Sequence, residues 1–219
     1  MNIAIDGPAG AGKSTIAKQL AKQMGYIYVD TGAMYRAMAL FFLKEKIDPA
    51  DETAIAQAAE NVDIAIRYQD GEQQVLLNGE NVNGQIRREE VGNMASATSV
   101  YPVVRKKLVA LQQKLAALEN VIMDGRDIGP CVLPDAEVKI YLTASAQSRA
   151  KRRYDELCQK GETCDEAAIL QDIRERDYRD MHRSESPLKQ AEDAVCVDSS
   201  NLSVEQVLDA IQKICREKM

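Results

Sequence analysis

A chain of 219 residues with 45% hydrophobic and 28% charged residues can build one full core with small appendages, or at most two modest domains. Its net charge of -6 gives no general attraction to a polyanionic backbone, so nucleic acid is not an expected partner, although local arginines can still line a pocket for a small anion. No apolar stretch approaches a membrane span and no basic leader precedes a long hydrophobic segment, so no membrane partner and a cytoplasmic location are expected.

The first element is a short apolar run, Asn2 to Ile5, that suits a buried parallel strand. It leads through Gly7, Pro8, Ala9, Gly10, Ala11, Gly12, Lys13, Ser14 and Thr15 into a helical pattern with Ile16, Leu20 and Met24 on one face and Gly25 as a stop. The loop reads Gly7-x-x-x-x-Gly12-Lys13-Ser14, a complete phosphate-binding motif. Its glycines let backbone N–H groups converge on a β-phosphate, Lys13 neutralises the β and γ oxygens, and the Ser14 hydroxyl can hold Mg2+. ATP is the expected occupant of Gly7 to Thr15.

Ile27 to Val29 reads as a second strand ending in Asp30-Thr31-Gly32. A helix follows with Met34, Met38, Phe41 and Phe42 on one side, stopping near Asp48-Pro49. Arg36, in the first turns of that helix, is either a grip for a second phosphate or a solvated surface residue. After a helix over Asp51 to Asn61, the pattern changes. Asp63 to Arg67 alternates, Asp70-Gly71 signals a hairpin, Gln73 to Leu77 is a second strand, and Asn78-Gly79 turns into Glu80-Asn81-Val82. Residues 63–85 therefore read as a small antiparallel insertion, which either reaches over a substrate or decorates the surface.

Arg87 to Thr98 is helical in tendency, and a helix carrying Val104, Leu108, Leu111, Leu115 and Leu118 follows Tyr101-Pro102. Val121 to Asp124 is a buried-strand pattern ending in Gly125-Arg126-Asp127-Ile128-Gly129. Charged residues gathered past the carboxyl end of such a strand mark where ligands are usually met. Asp30 and Asp124 both end strands; Asp124 suits a magnesium-bound water and Asp30 a polar wall of an acceptor pocket, or these roles are exchanged.

Strand Glu137 to Leu142 precedes a charged helix over Ser145 to Gly161 with Arg149, Lys151, Arg152 and Arg153. A second charged helix runs from Asp165 to His182 with Arg174, Arg176, Arg179 and Asp180, followed by Arg183. The pair is either a solvated helical hairpin or a lid whose arginines close over a triphosphate and exclude water; the phosphate loop upstream favours the lid. Ala194 to Val197 is a fifth parallel strand, and the last helix opens at Ser203 with Gln206 completing a capping box. Five strands alternating with helices indicate a three-layer α/β fold. The five cysteines, at 131, 158, 164, 196 and 215, are irregularly spaced without a CxxC pair. Cys158 and Cys164 lack two further ligands nearby for a metal, and His182 has no nucleophile pattern beside it.

Together, AIDGPAGAGKST at 4–15, DTGAMYR at 30–36, MASATS at 94–99 ahead of Tyr101-Pro102, DGRDIG at 124–129, LPDA at 133–136 and RERDYRDMHR at 174–183 closely resemble the bacterial cytidylate kinase family over essentially the whole chain. The resemblance implies a single kinase chain with the P-loop nucleoside monophosphate kinase fold: a five-stranded parallel sheet in the order 2-3-1-4-5, a small antiparallel insertion and a helical lid. Its discontinuous core would be 1–62, 86–150 and 168–219, with 63–85 as the acceptor-side insertion and 151–167 as the lid.

The implied reaction is transfer of the γ-phosphoryl group of MgATP to CMP or dCMP, by direct in-line attack without a covalent enzyme intermediate. On the family's pattern, Thr31, Arg36, Arg126 and Arg183 would surround the acceptor phosphate, Ser96, Arg105 and Asp127 would meet cytosine, and Arg176 with Asp180 would contact the sugar. Lys13, Arg126, Arg176 and Arg183 would be catalytic, and Arg149 and Arg153 are candidates for lid contacts. Mg2+ would be held by Ser14, with Asp124 acting through water. Asp127 accepting from the cytosine amine would disfavour uracil, which presents a carbonyl there. A monomer acting on ATP and CMP or dCMP is expected; a kinase for another small acceptor such as UMP, or a non-catalytic nucleotide-binding regulatory module, are the alternatives. The chain departs from many relatives at Thr31, where some have serine, and at Pro130, where many have threonine.

Overall fold

The computed structural model describes residues 1–69, 72–183 and 185–218, so the Asp70-Gly71 turn lies outside the described residues. The chain divides into two compact units, Met1–Tyr26 with Val121–Met219, and Ile27–Asn120.

In the first unit, β1 (Asn2–Asp6) leads through the glycine loop into α1 (Lys13–Met24), which Gly25 ends in the left-handed conformation at φ 68. The second unit runs β2 (Ile27–Asp30), α2 (Thr31–Lys44), α3 (Glu52–Asn61), β3 (Ile64–Gln69), β4 (Glu72–Leu77), β5 (Glu80–Asn81), α4 (Glu89–Thr98) and α5 (Pro102–Leu118). The first unit resumes with β6 (Val121–Gly125), one π-helical turn (Ile128–Val132), β7 (Val138–Thr143), α6 (Ala146–Gln159), α7 (Glu166–His182), β8 (Val195–Asp198) and α8 (Val204–Lys218).

The main sheet has the order β2-β6-β1-β7-β8. Counting only its own five strands along the chain, this is the order 2-3-1-4-5. β1 runs parallel to β6, with Asn2 opposite Val121 and Asp6 opposite Gly125, and parallel to β7, with Ile3 opposite Val138. Ile3, Ile5, Ile122 and Met123 are wholly buried, as expected of central parallel strands covered on both faces. The pairing register sets the carboxyl ends of β1 and β6 side by side, which is where the glycine loop and the segment after Asp124 begin.

The insertion is the three-stranded antiparallel sheet β3-β4-β5. Its second turn has φ 49 at Asn78 and φ 86 at Gly79, the pair of positive values that a two-residue hairpin turn requires. α2 stops at Lys44, short of the expected Asp48, because Lys46 turns into the left-handed region at φ 56 and takes the backbone off the helix. Met34, Met38 and Phe42 of α2 are wholly buried. At α8 the capping box is complete: Ser203 N donates to Gln206 Oε1 at 2.9 Å and Gln206 N donates to Ser203 Oγ at 3.3 Å.

Candidate active site

The glycine loop is fixed by backbone conformations open mainly to glycine. Gly7, Gly10 and Gly12 have φ of 146, 76 and 89, and a Cβ on Gly7 would stand 1.9 Å from the Leu142 carbonyl oxygen. Gly12 is the N-cap of α1 and offers no capping side chain, so the first N–H groups of that helix are left for an anion. Lys13 is buried and its Nζ donates to the Pro8 carbonyl at 2.8 Å, holding the ammonium over the loop. Burial, joined by the nearby Arg126 charge, pushes its pKa down to about 7 against opposition from Asp124, Asp6 and Asp180.

At the neighbouring strand ends, Ser14 Oγ donates to Asp124 Oδ2 at 2.9 Å. A hydroxyl beside a carboxylate is a hard-oxygen donor set, the chemistry that Mg2+ selects, so the residues present fit that ion. Among the described residues there is no cluster of three or more His, Cys, Asp or Glu that could hold a metal ion by itself. Asp6, the last residue of β1, accepts from Ile128 N and Gly129 N, each at 2.7 Å. Burial raises its pKa to about 6 against those two hydrogen bonds.

Several arginines of the first unit are held by carboxylates. Arg126 Nε donates to Asp180 Oδ2 at 2.9 Å, and Arg183 Nη2 lies 3.8 Å from Asp127 Oδ1. Asp127 and Asp180 are both buried and Arg176 is half-buried on α7. Arg149, 4% exposed, donates through both terminal nitrogens to Asp177, at 3.0 and 2.6 Å, and also to the carbonyls of Ala9 and Ala144. Its guanidinium thereby joins the glycine loop to α6 and α7. Arg153, one turn later, is exposed and pairs with Glu156.

In the second unit, Thr31 is the buried first residue of α2. Asp30 caps that helix by accepting from Ala33 N at 2.9 Å, and its other oxygen accepts from Arg87 at 2.8 Å. Gln73 of the insertion grips the Asp30 backbone, accepting from its N–H at 2.8 Å and donating to its carbonyl at 3.3 Å. Arg36 is half-buried beside Gly92, Ser96 is half-buried on α4, and Arg105 is buried with its guanidinium 6.0 Å from the Tyr35 ring centroid.

A family profile described as "Cytidylate kinase" matches residues 3–217. The chain belongs to the cytidylate kinase family. A cytidylate kinase of Caldicellulosiruptor bescii is 53% identical over 214 residues, covering 98% of this chain and 95% of that protein. One from Lactobacillus johnsonii is 49% identical over 218 residues, covering 100% and 95%, and one from Pasteurella multocida is 48% identical over 206, covering 94% and 91%. Among solved structures, an uncharacterised protein from Eubacterium ventriosum aligns with a TM-score of 0.52 at 16% identity over 97% of this chain and 96% of that one. A shikimate kinase from Bacteroides thetaiotaomicron aligns at 0.50 and 12% over 99% and 98%. These distant likenesses bear on the fold alone.

Against the cytidylate kinase pattern, the geometry adds further residues. Nothing in the local spacing of Asp177, Gln73 and Arg87 marks them. Asp6 carried a signal: it is an acidic side chain ending a run whose other members are apolar, in a strand buried on both sides.

Proposed function

We infer that this cytidylate kinase family member transfers the γ-phosphoryl group of MgATP to CMP or dCMP, giving CDP or dCDP. The carrying observation is the family match along 3–217 in a chain whose phosphate loop is complete, with Lys13 buried over it and Ser14 bonded to Asp124. Ser14, directly, and Asp124, through water, would hold Mg2+, which would supply charge neutralisation to the phosphate oxygens.

Within the first unit, Gly7 to Thr15 receives the donor phosphates on backbone N–H groups, and Lys13 spans the transferring oxygens. Its depressed pKa supports this role, because an ammonium disfavoured by burial gains most when a phosphate arrives. Arg126 and Arg183 exchange carboxylate partners for the acceptor phosphate, Arg176 and Asp180 meet the sugar, and Asp127 accepts from the cytosine amine. On the family's pattern we read Thr31 and Arg36, in the second unit, as phosphate-binding residues and Ser96 and Arg105 as base-binding ones. Phosphoryl transfer then needs alignment and charge stabilisation rather than a strong base, and proceeds in line without a covalent intermediate.

The segment 151–167 serves as the lid, with Arg149 at its root and Arg153 on its outer face, and 63–85 as the acceptor-side insertion around a core of 1–62, 86–150 and 168–219. We place the enzyme in the cytoplasm as a monomer without nucleic-acid or membrane partners. The net charge of -6 supports the first exclusion; no helix among the described residues is long and apolar enough to cross a membrane. A coupled assay for ADP formation across CMP, dCMP, UMP, AMP and GMP tests the reading. Turnover with CMP and dCMP far above the others is expected; negligible turnover with both would overturn it.

A further inference from the structure

Asp6 stands between two loops with different tasks. It is the last residue of β1, immediately before Gly7, so its backbone delivers the chain into the phosphate loop. Its side chain faces the other way: one carboxylate oxygen accepts from Ile128 N and the other from Gly129 N, both at 2.7 Å. Those two N–H groups open the π-helical turn Ile128–Val132, directly after Arg126 and Asp127. The carboxylate is 4% exposed, so water cannot substitute for it, and each N–H would otherwise be a buried donor without its partner.

The fit is close on the opposite side as well. A Cβ on Gly129 would stand 3.3 Å from Asp6 Oδ2 and 3.2 Å from Lys139 Cδ, so only glycine lets the amide approach without displacing a neighbour. Asp127 has φ -149 and ψ 28, outside the regular helical and extended regions, and the bonds to the next two amides hold the chain at that bend.

We propose that Asp6 is a positioning residue: by clamping the Ile128 and Gly129 amides it sets Asp127 and Arg126 in register with the phosphate loop, and so governs acceptor affinity and base discrimination. This rests on the reading of Asp127 and Arg126 given above. Asp6 touches no substrate. Two separate carboxylate oxygens are needed, because an amide in its place would keep one acceptor and turn an N–H2 group toward the second N–H.

The test uses Asp6→Asn and Gly129→Ala in the full chain, with steady-state kinetics on CMP and UMP, the affinity of a nonhydrolysable ATP analogue, and amide exchange over 126–132. Asp6→Asn is expected to raise the KM for CMP about tenfold and to lower the CMP-over-UMP ratio, with donor affinity nearly unchanged and faster exchange at 128 and 129. Gly129→Ala keeps the Asp6 charge but crowds the clamp, and should give the same pattern with a smaller amplitude. A fall in melting temperature with kinetics unchanged in both variants would reduce Asp6 to a structural role. Equal losses for CMP and UMP with weakened donor binding would mean that Asp6 acts through Lys13, and would also overturn the proposal. If the unsubstituted enzyme itself shows no preference for CMP, it is the functional reading that fails, whatever the variants do.

Discussion

The two loops beyond the ends of β1 and β6, proposed to hold the donor and the acceptor, are built by opposite means. The loop after β1 is built from backbone: glycines at positive φ, a helix start without a capping side chain, and one lysine tied to a carbonyl of the loop itself. The loop after β6 is built from side chains. Arg126 is held by Asp180, Asp127 lies near Arg183, and the turn that follows hangs on Asp6. A backbone cradle recognises any polyphosphate and announces itself in a short motif, whereas a side-chain cradle can read one acceptor but depends on partners from across the chain.

The largest effect should come from removing Lys13, the side chain of the backbone-built loop proposed to span the transferring phosphoryl group. Lys13→Ala is expected to lower kcat by on the order of 1,000-fold with the fold intact, since it removes the buried cation held at that loop's Pro8 carbonyl. Retention of most of the rate would show that another group orients the phosphates. Next, Gly7→Ala places a Cβ 1.9 Å from the Leu142 carbonyl oxygen at φ 146, so it should destabilise the protein itself. A cost of about 3 kcal/mol or more is expected, read as a melting temperature lowered by roughly 10 °C. In the side-chain-built loop, Asp127→Ala should leave stability and donor binding nearly unchanged while cutting the CMP-over-UMP ratio by about 10-fold to 100-fold.

That contrast also explains what the sequence made legible. The phosphate loop, the five buried strands and the capped helices follow from local rules: glycine spacing, continuous apolar strands, Asp51 and Asp165 at helix starts, and the Ser203 and Gln206 box; the strand order follows only from the family resemblance. The two-unit division and the exact stop of α2 do not, since neither is written in a local period. Of the candidate residues, Ser14 donates to Asp124 at a strand end, and Asp30 caps α2 and accepts from Arg87. The clamp of Asp6 and the bidentate hold of Asp177 on Arg149 join residues 122 and 28 positions apart, so only the folded chain brings them into view.

Proton linkage offers a quieter measure of the backbone-built loop. With its pKa lowered to about 7, Lys13 in the free enzyme is largely neutral above that pH, whereas the unfolded chain keeps it protonated to about 10.5. The unliganded protein should therefore gain stability from this group as pH rises from about 7 toward 10. A bound triphosphate favours the ammonium, so donor binding at pH 8 should take up a fraction of a proton that Lys13→Met does not. Calorimetry in two buffers of different ionisation heat measures it, and identical uptake in the variant would assign the proton elsewhere.

The smallest effects separate two arginines one turn apart on α6. Arg149 is buried, bidentate to Asp177, and bonded to Ala9 of the phosphate loop; Arg153 is exposed and paired with Glu156. Lysine cannot reproduce a planar fork with two parallel bonds to a carboxylate and others to two carbonyls, so Arg149→Lys should raise the KM for ATP several-fold by loosening the loop at Ala9. Arg153→Ala removes one exposed pair, whose worth is about 0.5 kcal/mol or less, and a change within about twofold in any kinetic constant is expected. A larger loss of ATP affinity at Arg153 than at Arg149 would reverse the assignment: the outer face of α6 would then be what reaches the donor when the helical pair closes, and Arg149 would be no more than the pin that holds its root.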